Sequence, residues 1–353
     1  MLNREVFIFI GFIILIVTIL IIDLSVFNKK NHVVCFREAL GFTIIWVTSA
    51  LLFGTLIYFF GQYIHDIQNI DELKEIVQKY SHPITIIEND FDRSLQIYRQ
   101  NLALEYLTGY IIEYSLSVDN IFVILMIFLS FGIEQKYYHK VLFWGIVGAI
   151  VMRFLFIFLS AALIQKFDWI MYFFGALLIF TGLKIFLERN KKEKINTANH
   201  YIVRLANRFL PVDTSDNSGN FFTRKNGKLF VTALFVVLLV IEFTDVIFAV
   251  DSVPAIFSIT KDPFIVYFSN IFAIIGLRSL FFLISSIIDK FRFLKIGLSV
   301  LLIFIGLKMI IHHFIEISTA QSLVAVLTIL SSSILLSVFI PENENKVKGG
   351  IGK

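Results

Sequence analysis

Long apolar stretches, broken at intervals by short charged ones, dominate the chain. Runs of about 18 or more apolar residues read as membrane-spanning helices, since ~20 residues at a rise of ~1.5 Å each cross the hydrocarbon of a bilayer. The pattern predicts nine spans, near 5–27, 36–60, 102–130, 138–164, 167–188, 229–257, 264–288, 292–315 and 318–340. The first run lacks a small-residue cleavage site, and Lys29 and Lys30 follow it instead of preceding it, so it reads as a retained helix and not a signal peptide. Two connections are long. Residues 61–101 contain HDIQNIDELKEIVQKY, patterned as a short amphipathic helix, and residues 189–228 contain GNFFTRKNGKLFV, whose Asn-Gly step between apolar or β-prone stretches predicts a small hairpin.

Composition agrees with an all-α, polytopic transmembrane bundle. Of 353 residues 57% are hydrophobic and 16% charged, with a mean hydropathy of +0.81. The net charge of +4 is then a property of loops and gives no ground for a nucleic-acid partner. The single cysteine, Cys35, excludes an intramolecular disulfide and a cysteine-based zinc site. Connections after odd-numbered spans hold twenty-one Lys and Arg, against seven on the other side. Positive charge is retained in the cytoplasm, so the chain is expected in the inner (plasma) membrane with its N-terminus outside and its C-terminus cytoplasmic.

The chain also repeats itself. EYSLSVDNIFVI (113–124) aligns with DVIFAVDSVPAI (245–256), an offset of 132; Arg153 aligns with Arg278, an offset of 125; and LLIFTGLKIF (177–186) aligns with LLIFIGLKMI (301–310), an offset of 124. The predicted organisation is 1–101, two helices and an outer amphipathic segment; 102–188, a first three-helix repeat; 189–228, a cytoplasmic loop with the hairpin; 229–315, a second repeat; and 316–353, a last helix and tail. Three helices is an odd number, so the second copy crosses the membrane in the opposite sense, as in many secondary transporters with a mid-bilayer substrate site.

Five acids lie deep in the third and sixth spans: Glu113, Asp119, Glu242, Asp245 and Asp251, with Arg153 and Arg278 midway along the fourth and seventh. Each such charge costs at least about 2.5–3.5 kcal/mol on insertion scales. Two arginines neutralise two acids, and the remaining carboxylates repel one another unless a cation or protons join them. Glu113, Ser117 and Asn120 share one helical stripe, and Asp245 and Ser252 keep the same spacing with Glu242 alongside. Asp119 and Asp251 fall about 120° away on a regular helix. Local unwinding would bring them in, and Pro254 is its expected cause in the second copy. The pairing expected is Asp119 or Asp251 with Arg153 or Arg278. Every candidate ligand is an oxygen, which suits Mg²⁺, Ca²⁺ or Mn²⁺ over Zn²⁺ or Cu⁺. His312, His313 and Glu316 read as a polar helix end.

The two acidic blocks, with VLFWGIVGAIVMR, FGALLIFTGLK and SNIFAIIGLRSLFFL, resemble the signature segments of the TerC/Alx family of integral membrane proteins, over roughly residues 36–60 and 102–313. The resemblance implies a manganese-exporter-like protein of a family named for tellurium resistance. It carries over Glu113, Asp119, Asn120, Glu242, Asp245, Asp251 and Ser252 as the site. The function expected is secondary export of a divalent cation, Mn²⁺ first, with proton antiport. The alternative is a non-transporting membrane component of a metal or tellurite stress complex. No enzyme motif such as His-Glu-x-x-His or Gly-x-Ser-x-Gly falls in the spans. No cofactor is expected beyond the transported ion. The expected partners are that ion and membrane lipid, with homo-oligomerisation left open.

Overall fold

The computed structural model describes residues 4–27, 35–167, 169–188, 212–213, 219–225, 228–285, 293–311 and 317–339. Helices α1 (Arg4–Phe27), α2 (Phe36–Phe60), α3 (Ile70–Tyr80), α4 (Phe91–Ser130), α5 (Gln135–Lys166) and α6 (Trp169–Glu188) are followed by strands β1 (Val212–Asp213), β2 (Phe222–Lys225) and β3 (Lys228–Thr232). Helices α7 (Ala233–Phe257), α8 (Pro263–Ser285), α9 (Leu294–Ile311) and α10 (Thr319–Phe339) complete the chain. Among the described residues seven helices are long and apolar enough to cross a membrane, and two shorter apolar helices, Phe7–Ile22 and Ile296–Ile311, stand where the first and eighth spans are predicted.

The amphipathic segment of the outer connection is α3. Its Asn69 side chain accepts from the backbone N–H groups of Asp71 and Glu72 at 3.1 and 2.9 Å, satisfying two of the orphan donors of a helix start. Its apolar face buries Leu73, Ile76 and Tyr80. Helix α4 begins eleven residues before the predicted span, at Phe91, capped by Asp90, whose carboxylate accepts from Arg93 N–H at 3.0 Å. The added turns, FDRSLQIYRQN, are helical but too polar to register in hydropathy. In the other long connection β2 and β3 pair antiparallel, Phe222 opposite Val231 and Lys225 opposite Lys228, with β1 parallel on the far side of β3.

Helix α8 lies at the centre of the bundle and is buried along nearly its whole length. It packs against α2, α4 and α5, while α5 also lies along α7, and α6 crosses α9. Rings from α1 fill the gap above α8, Phe12 lying 4.3 Å from Phe268 between centroids and Phe9 5.7 Å from Tyr267. Where α6 meets α9 the backbones touch. A Cβ on Gly175 would come within 2.9 Å of the Gly306 carbonyl oxygen, and one on Gly182 within 2.8 Å of the Ser299 carbonyl oxygen. Small residues permit this approach, which drives helix association in lipid through close packing. Large apolar side chains such as Leu52, Leu155, Phe180 and Leu335 remain exposed on outer faces, as expected of surface that meets hydrocarbon.

Candidate functional site

The predicted polar stripe is real and faces inward. Glu113, Ser117 and Asn120 on α4 are all buried, as are Asp245 and Ser252 on α7. Arg153, on α5 and 1% exposed, sits between these helices. Its Nε and Nη2 donate to the two carboxylate oxygens of Asp245 at 3.1 and 3.0 Å, the bidentate geometry that a guanidinium favours. Its Nη1 pairs with Glu113 and also meets Asn270 Oδ1 on α8 at 3.1 Å and Ser252 Oγ at 3.4 Å. One cation thus holds the leading acid of each acidic block, with an amide and a hydroxyl beside it. Glu113 keeps one carboxylate oxygen, Oε2, buried without a hydrogen-bond partner.

One expectation is corrected here, the predicted unwinding. Helices α4 and α7 run unbroken through both blocks, and Pro254 lies inside α7 without ending it. Proline costs the hydrogen bond to the Val250 carbonyl, yet the helix continues past it, and the Ser258 N–H reaches the Pro254 carbonyl at 3.0 Å. Because the helices stay regular, the leading acids Glu113 and Asp245 face Arg153. Asp251 lies to one side, accepting from Thr181 Oγ1 on α6 at 3.1 Å. The Asp119 side chain lies outside the described residues, as do His312, His313 and Glu316.

Glu242 is half-buried on α7 against the backbone of α5 at Gly148, where any Cβ would collide with its carboxylate. A small cavity of about 20 Å³ opens beside the Arg153 cluster. Its polar lining comprises Asn120, Thr244, Asp245 and Arg278, its apolar lining residues such as Ile124 and Ile146, and Gly145 forms part of the wall. Among the described residues no three His, Cys, Asp or Glu side chains converge as a ready-made metal cage. The described oxygens that do converge are gathered around Arg153.

A second ionic cluster was missed by sequence reasoning. His65, at the end of the short turn after α2, lies 2.8 Å from Asp262, just before α8. His82, in the loop after α3, lies 2.9 Å from Glu105 on α4, whose same oxygen accepts from Asn101 Nδ2 at 2.7 Å. All four side chains of these pairs are fully buried. Burial pushes the His82 imidazole down, but the charge and hydrogen bond of Glu105 outweigh it and leave it above its ordinary value. Burial likewise pushes Asp262 up, and His65, with help from His82 and the Phe264 N–H, brings it below the usual carboxylate range. The four residues are scattered over nearly 200 positions, and the available signal was two histidines, His65 and His82, in an otherwise acidic outer connection.

Together these features define a polytopic integral membrane protein with a buried ionic centre between its helices. The chain belongs to the TerC family of integral membrane proteins, whose model matches residues 98–345. It is 41% identical to the uncharacterized membrane protein STKORF319 of Myxococcus xanthus, over 93% of this chain and 91% of that one. It is 39% identical to the putative membrane-bound redox modulator Alx of Escherichia coli strain K12, over 96% and 97% of the two chains. A membrane protein of Rickettsia bellii is 39% identical over 92% and 94%. No solved structure matches the chain.

Proposed function

We propose that the chain is a secondary transporter exporting a divalent cation, Mn²⁺ first, from the cytoplasm across the inner membrane by proton antiport. The observation that carries this reading is the meeting of Glu113 and Asp245, the matched leading acids of two similar segments, at one buried point beside a cavity. Helix contacts accord with a duplicated origin: α4 with α8 answers to α7 with α5, and the Gly175–Gly306 approach answers to that of Gly182 with Ser299 at the 124-residue offset. Carboxylates, an amide and a hydroxyl form an all-oxygen set suited to a hard divalent ion. With Arg153 between them, both acids stay paired and half of their charge is balanced in the ion's absence, and an incoming ion competes with the guanidinium for the same oxygens. The N-terminus lies outside and the C-terminus in the cytoplasm in this reading.

The redox role in the name of the E. coli relative fits indirectly. With one cysteine this chain has no intramolecular dithiol, so an effect on redox state would run through cellular metal balance. The completeness of the Arg153 pairing favours a second reading, a stress-complex component whose charged core is purely structural. Manganese efflux from preloaded cells separates the two. The transporter reading expects efflux by the wild type and its loss in Glu113→Gln and Asp245→Asn at equal membrane abundance, with dependence on an imposed pH gradient. Absence of efflux above empty-vector cells, with both variants losing abundance, would favour the structural reading.

A further inference from the structure

The cavity beside the ionic centre matches, position by position, a second version of the centre itself. Exchange the two similar segments at their own offsets, 132 for the acidic helices and 125 for the arginine helices. Arg153 becomes Arg278; its partners Glu113, Asp245, Ser252 and Asn270 become Asp245, Glu113, Asn120 and Gly145. Of those five images, Arg278, Asp245, Asn120 and Gly145 all line the cavity. Ile256, which packs beside Gly109, maps onto the lining residue Ile124. The two regions nevertheless differ in packing. Around Arg153 the helices are closed, with Gly109 so near Ser269 and Ile256 that a Cβ would come within 2.8 Å of Ser269 Oγ and 3.0 Å of Ile256. Beside Arg278 lies the cavity of about 20 Å³, and a Cβ on Gly145 would meet Ile241 at an ordinary 3.5 Å.

We infer that Glu113 and Asp245 are handed from Arg153 to Arg278 when the protein changes conformation. The structure is one of two related states, in which the region near Gly109 and Ile256 is shut and the cavity near Ile124 and Ile241 is open. In the other state Arg278 takes the two acids with Asn120 beside it, the cavity closes around it, and the Gly109–Ile256 region opens. Inverted repeats alternate access in this manner, by rocking one set of helices against the other around a fixed site. A guanidinium therefore caps the acids in both empty states, which spares the bilayer interior an unpaired carboxylate. This inference rests on the transporter reading for its purpose, but not for its test.

The two half-sites are unequal by one amide, since Asn270 corresponds to Gly145. That difference offers uncharged variants that leave both arginines and both acids in place. With Cys35→Ser as background and the full chain in lipid nanodiscs without added metal, single cysteines at Ser269 and at Ile124 report on the shut and open regions through a water-soluble maleimide. Gly145→Asn adds a partner for Arg278, and Asn270→Ala removes one from Arg153. Each is expected to raise labelling at position 269 and lower it at 124 by about tenfold or more, the weight of one hydrogen bond to a charged group. Asn120→Ala is expected to move both sites the other way. Parallel changes at 269 and 124, or none in any variant, would overturn the exchange. Opposed changes without measurable ion transport would leave the exchange standing and remove the proposed cargo.

Discussion

The chain buries two ionic clusters, one at mid-bundle and one where α2 ends and α8 begins, and they are built around different cations. The central cluster holds Arg153 with Glu113 and Asp245; the other holds His65 with Asp262 and His82 with Glu105. A guanidinium keeps its charge across the physiological range, whereas imidazole changes charge within it. The central guanidinium therefore stays charged throughout, and its acids are released by a competing cation, by their own protonation or by conformational exchange, while the outer pairs answer to the titration of imidazole. The contrast separates a centre whose cation stays charged from a fastening that ties the 61–90 segment to α4 and α8.

The largest effect expected is that of Arg153→Gln. Removing one partner of a buried ion pair leaves uncompensated charge and costs roughly 3–5 kcal/mol. Thermal unfolding in detergent should show that loss, and adding Glu113→Gln and Asp245→Asn should recover much of it. A small effect of Arg153→Gln alone would mean that water already reaches the two acids.

Next in size is Gly148→Ala, whose methyl group would displace the Glu242 carboxylate. Overpacking of this sort costs about 1–3 kcal/mol. Shortening the acid in Gly148→Ala/Glu242→Asp should restore stability, measured in the same unfolding experiment, and failure of that rescue would place the strain elsewhere.

The outer cluster should show a pH dependence set by its histidine–carboxylate pairs. Because His82 is raised above its ordinary 6.5, its contribution is fully present below that value and is lost as pH rises through the raised one. Asp262 is lowered, so its contribution is present above its ordinary 3.8 and is lost as pH falls through the lowered value. Hydrogen exchange of residues 66–90, corrected for intrinsic rates, should therefore be slowest between these limits and quicken on the alkaline side. In His82→Gln the alkaline step should diminish. An unchanged step would assign it to another group.

The two clusters also differ in how far they could be read from sequence. The central one was legible because its members are local: Glu113, Ser117 and Asn120 share a stripe, and Arg153 and Arg278 recur at matched positions. Which acids meet Arg153 was not legible, because it depends on whether α4 and α7 stay regular. Pro254 suggested a break in α7, but one lost hydrogen bond is not enough to end the helix there. The outer cluster was illegible for a different reason. His65, His82, Glu105 and Asp262 come from separate connections and helix ends, and only tertiary packing brings them together. Charged loop residues are mostly solvated, so nothing local marked these as buried. Helix α3 was readable from its amphipathic period, whereas the early start of α4 was hidden by its polar first turns.

The smallest effect concerns the cap that positions the outer cluster. Asn69→Ala removes two hydrogen bonds from the start of α3 and should cost about 1 kcal/mol, visible as faster exchange in residues 70–76. No acceleration there would mean that packing of Leu73 and Ile76 alone holds the helix.

The central claim is that Glu113 and Asp245 bind a divalent cation in competition with Arg153. Its most direct test is Mn²⁺ binding to the purified protein, followed by loss of the six-line electron paramagnetic resonance signal of the free ion. Saturable binding that is lost in Glu113→Gln and in Asp245→Asn, while both variants remain folded, is the result predicted. Binding that persists unchanged in both variants would contradict the account.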